Sequence, residues 1–222
     1  STSSDPEKFA RFAEGVRRHC DDMIVQFSTG GRSGSGSERG GMLKHVPDMA
    51  SLATGSVNFA ASIYENDPAL IDELASLMLE FDIKPEIEIF DLAMLYNAAA
   101  LVKKGLLKSP VHVQFVMGIP GAQPARREVL EFELAQLNEV LPGATWTGAG
   151  IGRHQLTLNE WSLELGGHCR TGLEDNVRWD RDRLGASNAE LVARVAEMAR
   201  ESGRCVASPS QARAILGLGS AA

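Results

Sequence analysis

None of the five histidines in this 222-residue chain stands in an HxH or HExxH arrangement. A catalytic zinc site draws on about three protein ligands, so the chain does not by itself display a complete one. Cysteine is scarce as well. Cys20, Cys169 and Cys205 are odd in number, far apart and without CxxC spacing. That argues against a disulfide framework or a cysteine zinc knuckle and fits three reduced thiols in a cytoplasmic protein. Clusters of Lys and Arg are missing. The formal net charge is −7 and the pI about 5.3, which argues against a nucleic-acid-binding surface. A locally basic site for an anionic small molecule remains open. No apolar run reaches the ~18 residues that cross a bilayer. The most apolar stretch, Leu92 to Val102, is short and contains Asn97. The N-terminus lacks the charged-then-apolar pattern of a signal peptide.

What is present is a hydrophobic content of 44%, enough for a sizeable core, arranged in alternating strand and helix patterns. Asp5-Pro6-Glu7 supplies a helix N-cap, a proline at the first helical position and an acid in the first turn. Met23 to Phe27 reads as a short strand, followed by a polar Gly/Ser loop from Ser28 to Gly41. Met49 to Phe59 is strand-like, Pro68 to Phe81 a helix, Glu86 to Phe90 a strand and Asp91 to Lys104 a helix. Val111 to Gly118, Thr145 to Ile151 and His168 to Leu173 continue the strands. Pro124 to Val140 and Thr157 to Leu165 continue the helices. Ser187 and Ser208 open the last two helices in capping-box form. Six strands alternating with helices predict βαβ units and a parallel sheet. No composition break divides residues 1–222, so one domain is expected. A doubly wound sheet and a (β/α)8 TIM barrel both fit. Polar residues on one alternating strand face (Gln26, Glu86 with Glu88, His112 with Gln114) favour the barrel, whose catalytic end lies at the strand C-termini.

The densest chemistry lies in His168-Cys-Arg-Thr-Gly-Leu-Glu-Asp-Asn176. On a strand, His168, Arg170, Gly172 and Glu174 would share one face. An acid at the strand end near an Arg suits a metal ligand with a cationic neighbour, or simply a polar turn. Ser28-Thr-Gly-Gly31 could offer backbone N–H groups to a carboxylate or phosphate, or be only a flexible loop. Ser56 and Asn58 would share a strand face and could bond a substrate, or merely cap the strand. Glu86 and Glu88 share a face on which two acids are costly to bury unless paired or bound. Glu88, nearer the C-terminal end, is the better functional residue. Gly148 to Gly152 lacks dinucleotide spacing and reads as a small-residue strand end. His19 and His154 read as surface residues.

Taken together, Gln26-Phe-Ser-Thr-Gly-Gly31, Met49-Ala-Ser-Leu-Ala-Thr-Gly-Ser-Val-Asn-Phe59, Lys84-Pro-Glu-Ile-Glu-Ile-Phe-Asp91, Gly118-Ile-Pro-Gly121, Gly166 to Asn176 and Ala207 to Gly217 resemble the β-keto acid cleavage enzymes over essentially the whole chain. These are zinc-dependent (β/α)8 barrels. The resemblance implies an exchange in which a β-keto acid and acetyl-CoA become acetoacetate and a new CoA ester. It implies Glu174 as a metal ligand, Arg170 and Asp175 as catalytic residues, and Ser28, Gly31 and Ser56 as substrate-binding; the strand-face reading adds Glu88 as catalytic and Asn58 as substrate-binding. It also implies homo-oligomers. The family's HxH zinc ligands, at the end of a second barrel strand, have no counterpart here. Six strands cannot close an eight-stranded barrel, so an N-terminal part is expected to be missing. Another metal-dependent barrel lyase or aldolase, or a non-catalytic truncated relative, are the alternatives.

Overall fold

The computed structural model describes residues 4–31 and 36–219. Helix α1 (Pro6–His19) starts where the Asp5 side chain accepts a bond from the Glu7 amide, satisfying one of the donors a helix start leaves free. A two-residue strand β1 (Gln26–Phe27) follows. The loop expected from Ser28 to Gly41 lies partly outside the described residues, at 32–35. From Gly36 the chain is helical instead: α2 (Gly36–Gly40), then a 3-10 turn over Gly41–His45. Met42 and Leu43 are buried there, and burying their side chains holds the segment against the core.

The expected long strand from Met49 to Phe59 is in fact two strands, the second of which pairs with a third just beyond it. β2 (Met49–Ala53) stops, and β3 (Val57–Phe59) and β4 (Ser62–Tyr64) form a separate antiparallel hairpin. Asn97 donates to the Thr54 carbonyl at 2.8 Å and Thr54 to the Met94 carbonyl at 2.7 Å. With Thr54 held by this neighbouring helix, the chain leaves the ladder. Then come α3 (Pro68–Glu80), β5 (Lys84–Ile89), α4 (Leu92–Lys103), β6 (His112–Met117) and α5 (Arg127–Val140). β7 (Thr145–Gly150), α6 (Gln155–Glu164), β8 (His168–Cys169), α7 (Asn188–Glu201) and α8 (Pro209–Leu216) complete the order. Asp67 caps α3, Asp91 caps α4, and Ser208 with Gln211 forms a capping box on α8.

The main sheet has six strands in the order β1-β2-β5-β6-β7-β8, all pairs parallel. A doubly wound sheet reverses its order at a switch point. Here the order never reverses, which settles the fold as the barrel type, represented by six βα units. Register sorts the side chains. Ser51 pairs with Glu86, Ala53 with Glu88, Glu86 with His112, Glu88 with Gln114, Gln114 with Thr147 and Thr147 with His168. Neighbours in register point to the same face, so one face of the sheet is largely polar. The other face carries Leu52, Ile87, Ile89, Val113 and Phe115, all fully buried in one core with helix residues such as Leu74, Leu95 and Leu130. The edge strands β1 and β8 both border a single cavity with α7 and α8, as in a sheet that curls about its polar face. Arg213 of α8 bonds Asp48 at 2.8 Å, and Asp48 in turn accepts from the Val25 amide. The last helix is thereby tied beneath the first strand. No helix among the described residues is long and apolar enough to cross a membrane.

Candidate functional site

The polar face opens into a cavity of about 780 Å³ bordered by Ser28, Glu86, Glu88, Gln114, Arg170 and Glu174 among others. Its centre is a hydrogen-bonded row that crosses four strands. Gln26 and Gln114 both donate to Glu86 Oε1, at 2.7 and 2.8 Å. His112 Nε2 stands 3.5 Å from Glu86 Oε2. Burial pushes the Glu86 carboxyl up, but the bond and charge of His112, the Gln26 bond and the Arg170 charge outweigh it and hold the group below its ordinary value. His168 lines the same cavity. Burial, then the nearby His112 and Arg204, push its imidazole down and favour the neutral ring.

Glu88 behaves in the opposite way. Burial first, then the charges of Glu86 and Glu174, raise its pKa to about 7, against the lowering pull of Arg170 and Arg39. Among the described residues its carboxyl makes no hydrogen bond. A carboxyl that titrates near neutrality, borders a cavity and is unbonded is suited to moving protons.

Arg170 stands at the mouth of the row. Its Nε and Nη2 donate to the two Asp175 oxygens at 2.8 Å each, and its Nη1 donates to Gln114 Oε1 at 2.8 Å. The expected strand from His168 to Leu173 ends at Cys169, so Arg170, Gly172 and Glu174 do not share a strand face. The chain turns instead: the Asp175 and Asn176 amides both donate to the Gly172 carbonyl. That turn brings Asp175 back under Arg170, with its side chain 6% exposed, and leaves Glu174 outside at 88%. Glu174 is 3.7 Å from Arg170. No group of three or more His, Cys, Asp and Glu side chains that could hold a metal ion exists among the described residues. The donors among the described residues therefore do not by themselves make up a zinc site.

The structure brings Ser28, Glu88, Arg170 and Glu174 to one cavity, with Asp175 locked to Arg170. Ser28 Oγ accepts from the Gly30 amide at 3.2 Å, a local bond in the segment that follows β1. Ser56 and Asn58 do not border the cavity. Ser56 Oγ accepts from the Asn66 amide, and Asn58 lies on the exposed hairpin. The Asn58 carbonyl packs so closely on Gly121 (φ +96°) that a Cβ there would lie 1.9 Å from it. His154 is half-buried against Gly118 rather than on the surface. Gly148 and Gly150 are small because Ser162 and the His154 carbonyl press on them.

Two residues without a sequence signal matter here. Arg39, 3% exposed, donates to the Thr29 and Glu65 carbonyls, the Tyr64 hydroxyl and Asn66 Oδ1. Tyr64 OH would lie 3.2 Å from a Cβ on Gly30, and burial together with the Glu88 charge pushes that hydroxyl up. Arg39 and Tyr64 thus join the segment after β1 to the hairpin. No pattern in the sequence marks them, because most of Arg39's partners are backbone carbonyls and residues of a different loop.

The sequence profile of the beta-keto acid cleavage enzyme family matches residues 1–218. A Cupriavidus necator protein named 3-oxoadipate:acetyl-CoA acetyltransferase is 59% identical over 216 residues, 97% of this chain and 76% of its own length. A Fusobacterium nucleatum 3-keto-5-aminohexanoate cleavage enzyme is 40% identical, over 97% of this chain and 78% of its own. Among solved structures, the ternary complex of ObcA with a C4-CoA adduct and oxalate superposes with a TM-score of 0.88 at 22% identity. That match covers 97% of this chain and 57% of the other, so the present chain spans little more than half of that protein.

Proposed function

Because the chain belongs to the beta-keto acid cleavage enzyme family, we propose that it cleaves a β-keto acid at the expense of acetyl-CoA, giving acetoacetate and a new CoA ester. The observation that carries this reading is the meeting of Glu88, an unbonded carboxyl of pKa about 7, and the Arg170–Asp175 pair at one cavity. The carbon between a keto and a carboxylate group is acidic, because the anion left behind delocalises into the keto oxygen. Glu88 takes that proton. Arg170, with Nε, one Nη1 hydrogen and one Nη2 hydrogen already committed, keeps one N–H on each terminal nitrogen for the substrate carboxylate. Asp175 holds the guanidinium still, and the Ser28–Gly31 segment receives the polar end of the substrate. The carbanion attacks the thioester carbonyl, a C–C bond forms, and the C–S bond breaks to release CoA thiolate. The thiolate adds to the original keto carbon, the older C–C bond breaks, and Glu88 returns its proton to the carbon of acetoacetate.

Zinc dependence is part of the reading, with Glu174 as one ligand and the others from outside the described residues; none of these steps runs through the metal. So are a cytoplasmic location, a single barrel domain over 1–222 and homo-oligomers. Ser56 and Asn58 would reach substrate only if the hairpin moved toward the cavity. The name of the 59% identical relative puts 3-oxoadipate first on the substrate panel. The full-length protein, zinc-loaded, is assayed with acetyl-CoA and 3-oxoadipate, 3-keto-5-aminohexanoate and other β-keto acids. Acetoacetate and a matching CoA ester are expected. No CoA ester from any of them overturns the proposal, and cleavage with acetyl-CoA left out points to a lyase or aldolase instead.

A further inference from the structure

Glu86 is 7% exposed, and no step of the proposed reaction uses its carboxylate. The sheet does not need it either, since main-chain ladders already join β2, β5 and β6, and a carboxylate taken from water is costly unless its bonds are made. Its effect is directional. An ionised carboxylate only accepts hydrogen bonds, whereas a glutamine amide has one accepting and one donating end. Gln114 donates its Nε2 to Glu86 Oε1 at 2.8 Å, so its Oε1 must face the other way. There it accepts from Arg170 Nη1 at 2.8 Å. Turned over, the amide would set its N–H against the guanidinium donor and its oxygen against the Glu86 carboxylate, losing two bonds at once. Gln26 on the far side donates to the same Glu86 oxygen, and His112 sits against the other.

We propose that Glu86 is a positioning residue that acts through Gln114, fixing the polarity of its amide so that Arg170 is held in the orientation in which it meets Asp175 and the substrate carboxylate. This deepens the proposed function and rests on its assignment of Arg170. The chain of dependence runs one way: Glu86 orients Gln114, Gln114 orients Arg170, and Asp175 completes the clamp.

The test is a double-mutant cycle in the full-length protein with Glu86→Leu, Gln114→Leu and the pair together, plus Glu86→Gln as the conservative variant. Glu86→Leu and Gln114→Leu are each expected to lower kcat about tenfold or more, with KM changed less than about threefold. The double variant is expected to lose no more than the worse single one, since contacts in one network are not additive. Glu86→Gln, whose carbonyl can still accept from both glutamines, is expected to retain activity within about threefold of the unsubstituted protein. Losses that multiply in the double variant, or an undiminished kcat in Glu86→Leu, overturn the proposal. Crystal structures of the same variants test it independently of any assay. In Glu86→Leu the Gln114 amide must leave Arg170 Nη1 and the guanidinium must shift; an Arg170 that stays in place in both leucine variants also overturns it. If the unsubstituted protein exchanges no acyl group, the functional reading has failed, and those structures alone decide whether Glu86 orients Arg170. A variant that does not fold is replaced by Gln114→Met, read in the same way.

Discussion

Arg170 and Asp175 are joined by two parallel N–H···O bonds of 2.8 Å each, from Nε and Nη2 to the two carboxylate oxygens. The five-residue separation works only because the strand ends at Cys169 and the chain turns back on the Gly172 carbonyl. Such a fork-to-fork pair fixes the plane of the guanidinium as well as its position. The third donor, to Gln114, then fixes its rotation.

Arg170→Lys keeps the charge and removes the fork. A single ammonium cannot serve Asp175 with two parallel bonds and Gln114 with a third. At about 1.5–3 kcal/mol per charge-assisted bond, losing the geometry of one or two of them is expected to lower kcat/KM by roughly two to three orders of magnitude. Steady-state kinetics beside a thermal melt checks this. A Tm within a few degrees of the unsubstituted protein with activity lost is the expected outcome; full activity in the lysine variant would show that the fork is dispensable.

Glu88 ties activity and stability together with opposite signs. As the proposed base it must be ionised, so kcat/KM is expected to rise with pH through about 7, the value to which burial pushes it. In the folded chain the proton is held more tightly than at the ordinary value of 4.5. Stability from this group is therefore full below about 4.5 and drains away as pH rises to about 7. Glu88→Gln is expected to abolish turnover, remove the limb near neutrality and raise the Tm at pH 8. A pH–rate profile unchanged in position for a residual-activity variant such as Glu88→Asp, whose environment differs, would sink the assignment.

The parts of this architecture that are legible in the sequence are those decided by neighbours in the chain. Asp5-Pro6 and Ser208 with Gln211 are helix starts made within one turn. Glu86 and Glu88 share a face because strands alternate, and register then sets them beside His112 and Gln114. The parts that are not legible are decided by residues far away. Nothing local stops the alternation after Ala53; Asn97 and Met94 on a later helix engage Thr54 there. Nothing local ends the strand after Cys169, where the ladder partner Gly148 takes the Arg170 amide and the side chain looks elsewhere. A polar strand face only favours the barrel over the doubly wound sheet, and the unreversed strand order decides between them.

Glu133 on α5 is 1% exposed, and its Oε2 and the nearby Gln123 Oε1 are both buried without a hydrogen-bond partner among the described residues. Burial, then the charge of Asp91, raises its pKa to about 8. The folded state again holds the proton more tightly, so stability is expected to fall as pH rises from about 4.5 through 8. Glu133→Gln carries an N–H that can reach Gln123 Oε1 at every pH. It is expected to flatten the dependence and add about 1–3 kcal/mol at pH 9. Denaturant melts at pH 6 and pH 9 measure this. Equal pH slopes in both proteins would show that Glu133 is already ionised in the fold.

Arg39 is the tie between the segment after β1 and the β3–β4 hairpin, and Arg39→Met isolates what that tie does. Methionine fills much of the volume but leaves the Thr29 and Glu65 carbonyls, the Tyr64 hydroxyl and Asn66 Oδ1 without their donor. It also removes the cation 5.3 Å from the Tyr64 ring centroid. Unsatisfied buried acceptors cost about 1–3 kcal/mol each where water cannot reach them, so a loss of several kcal/mol is expected, concentrated in this corner. Hydrogen exchange should show faster amide exchange at Asn66, whose N–H is held by Ser56, and at Thr29, held by Ser51. Amides of β6 and β7 at the centre of the sheet should keep their protection. Because Tyr64 and Gly30 are in contact through the same corner, KM for the β-keto acid is expected to rise more than kcat falls. A uniform loss of protection across the sheet would mean that Arg39 supports the whole fold rather than the position of the Ser28–Gly31 segment.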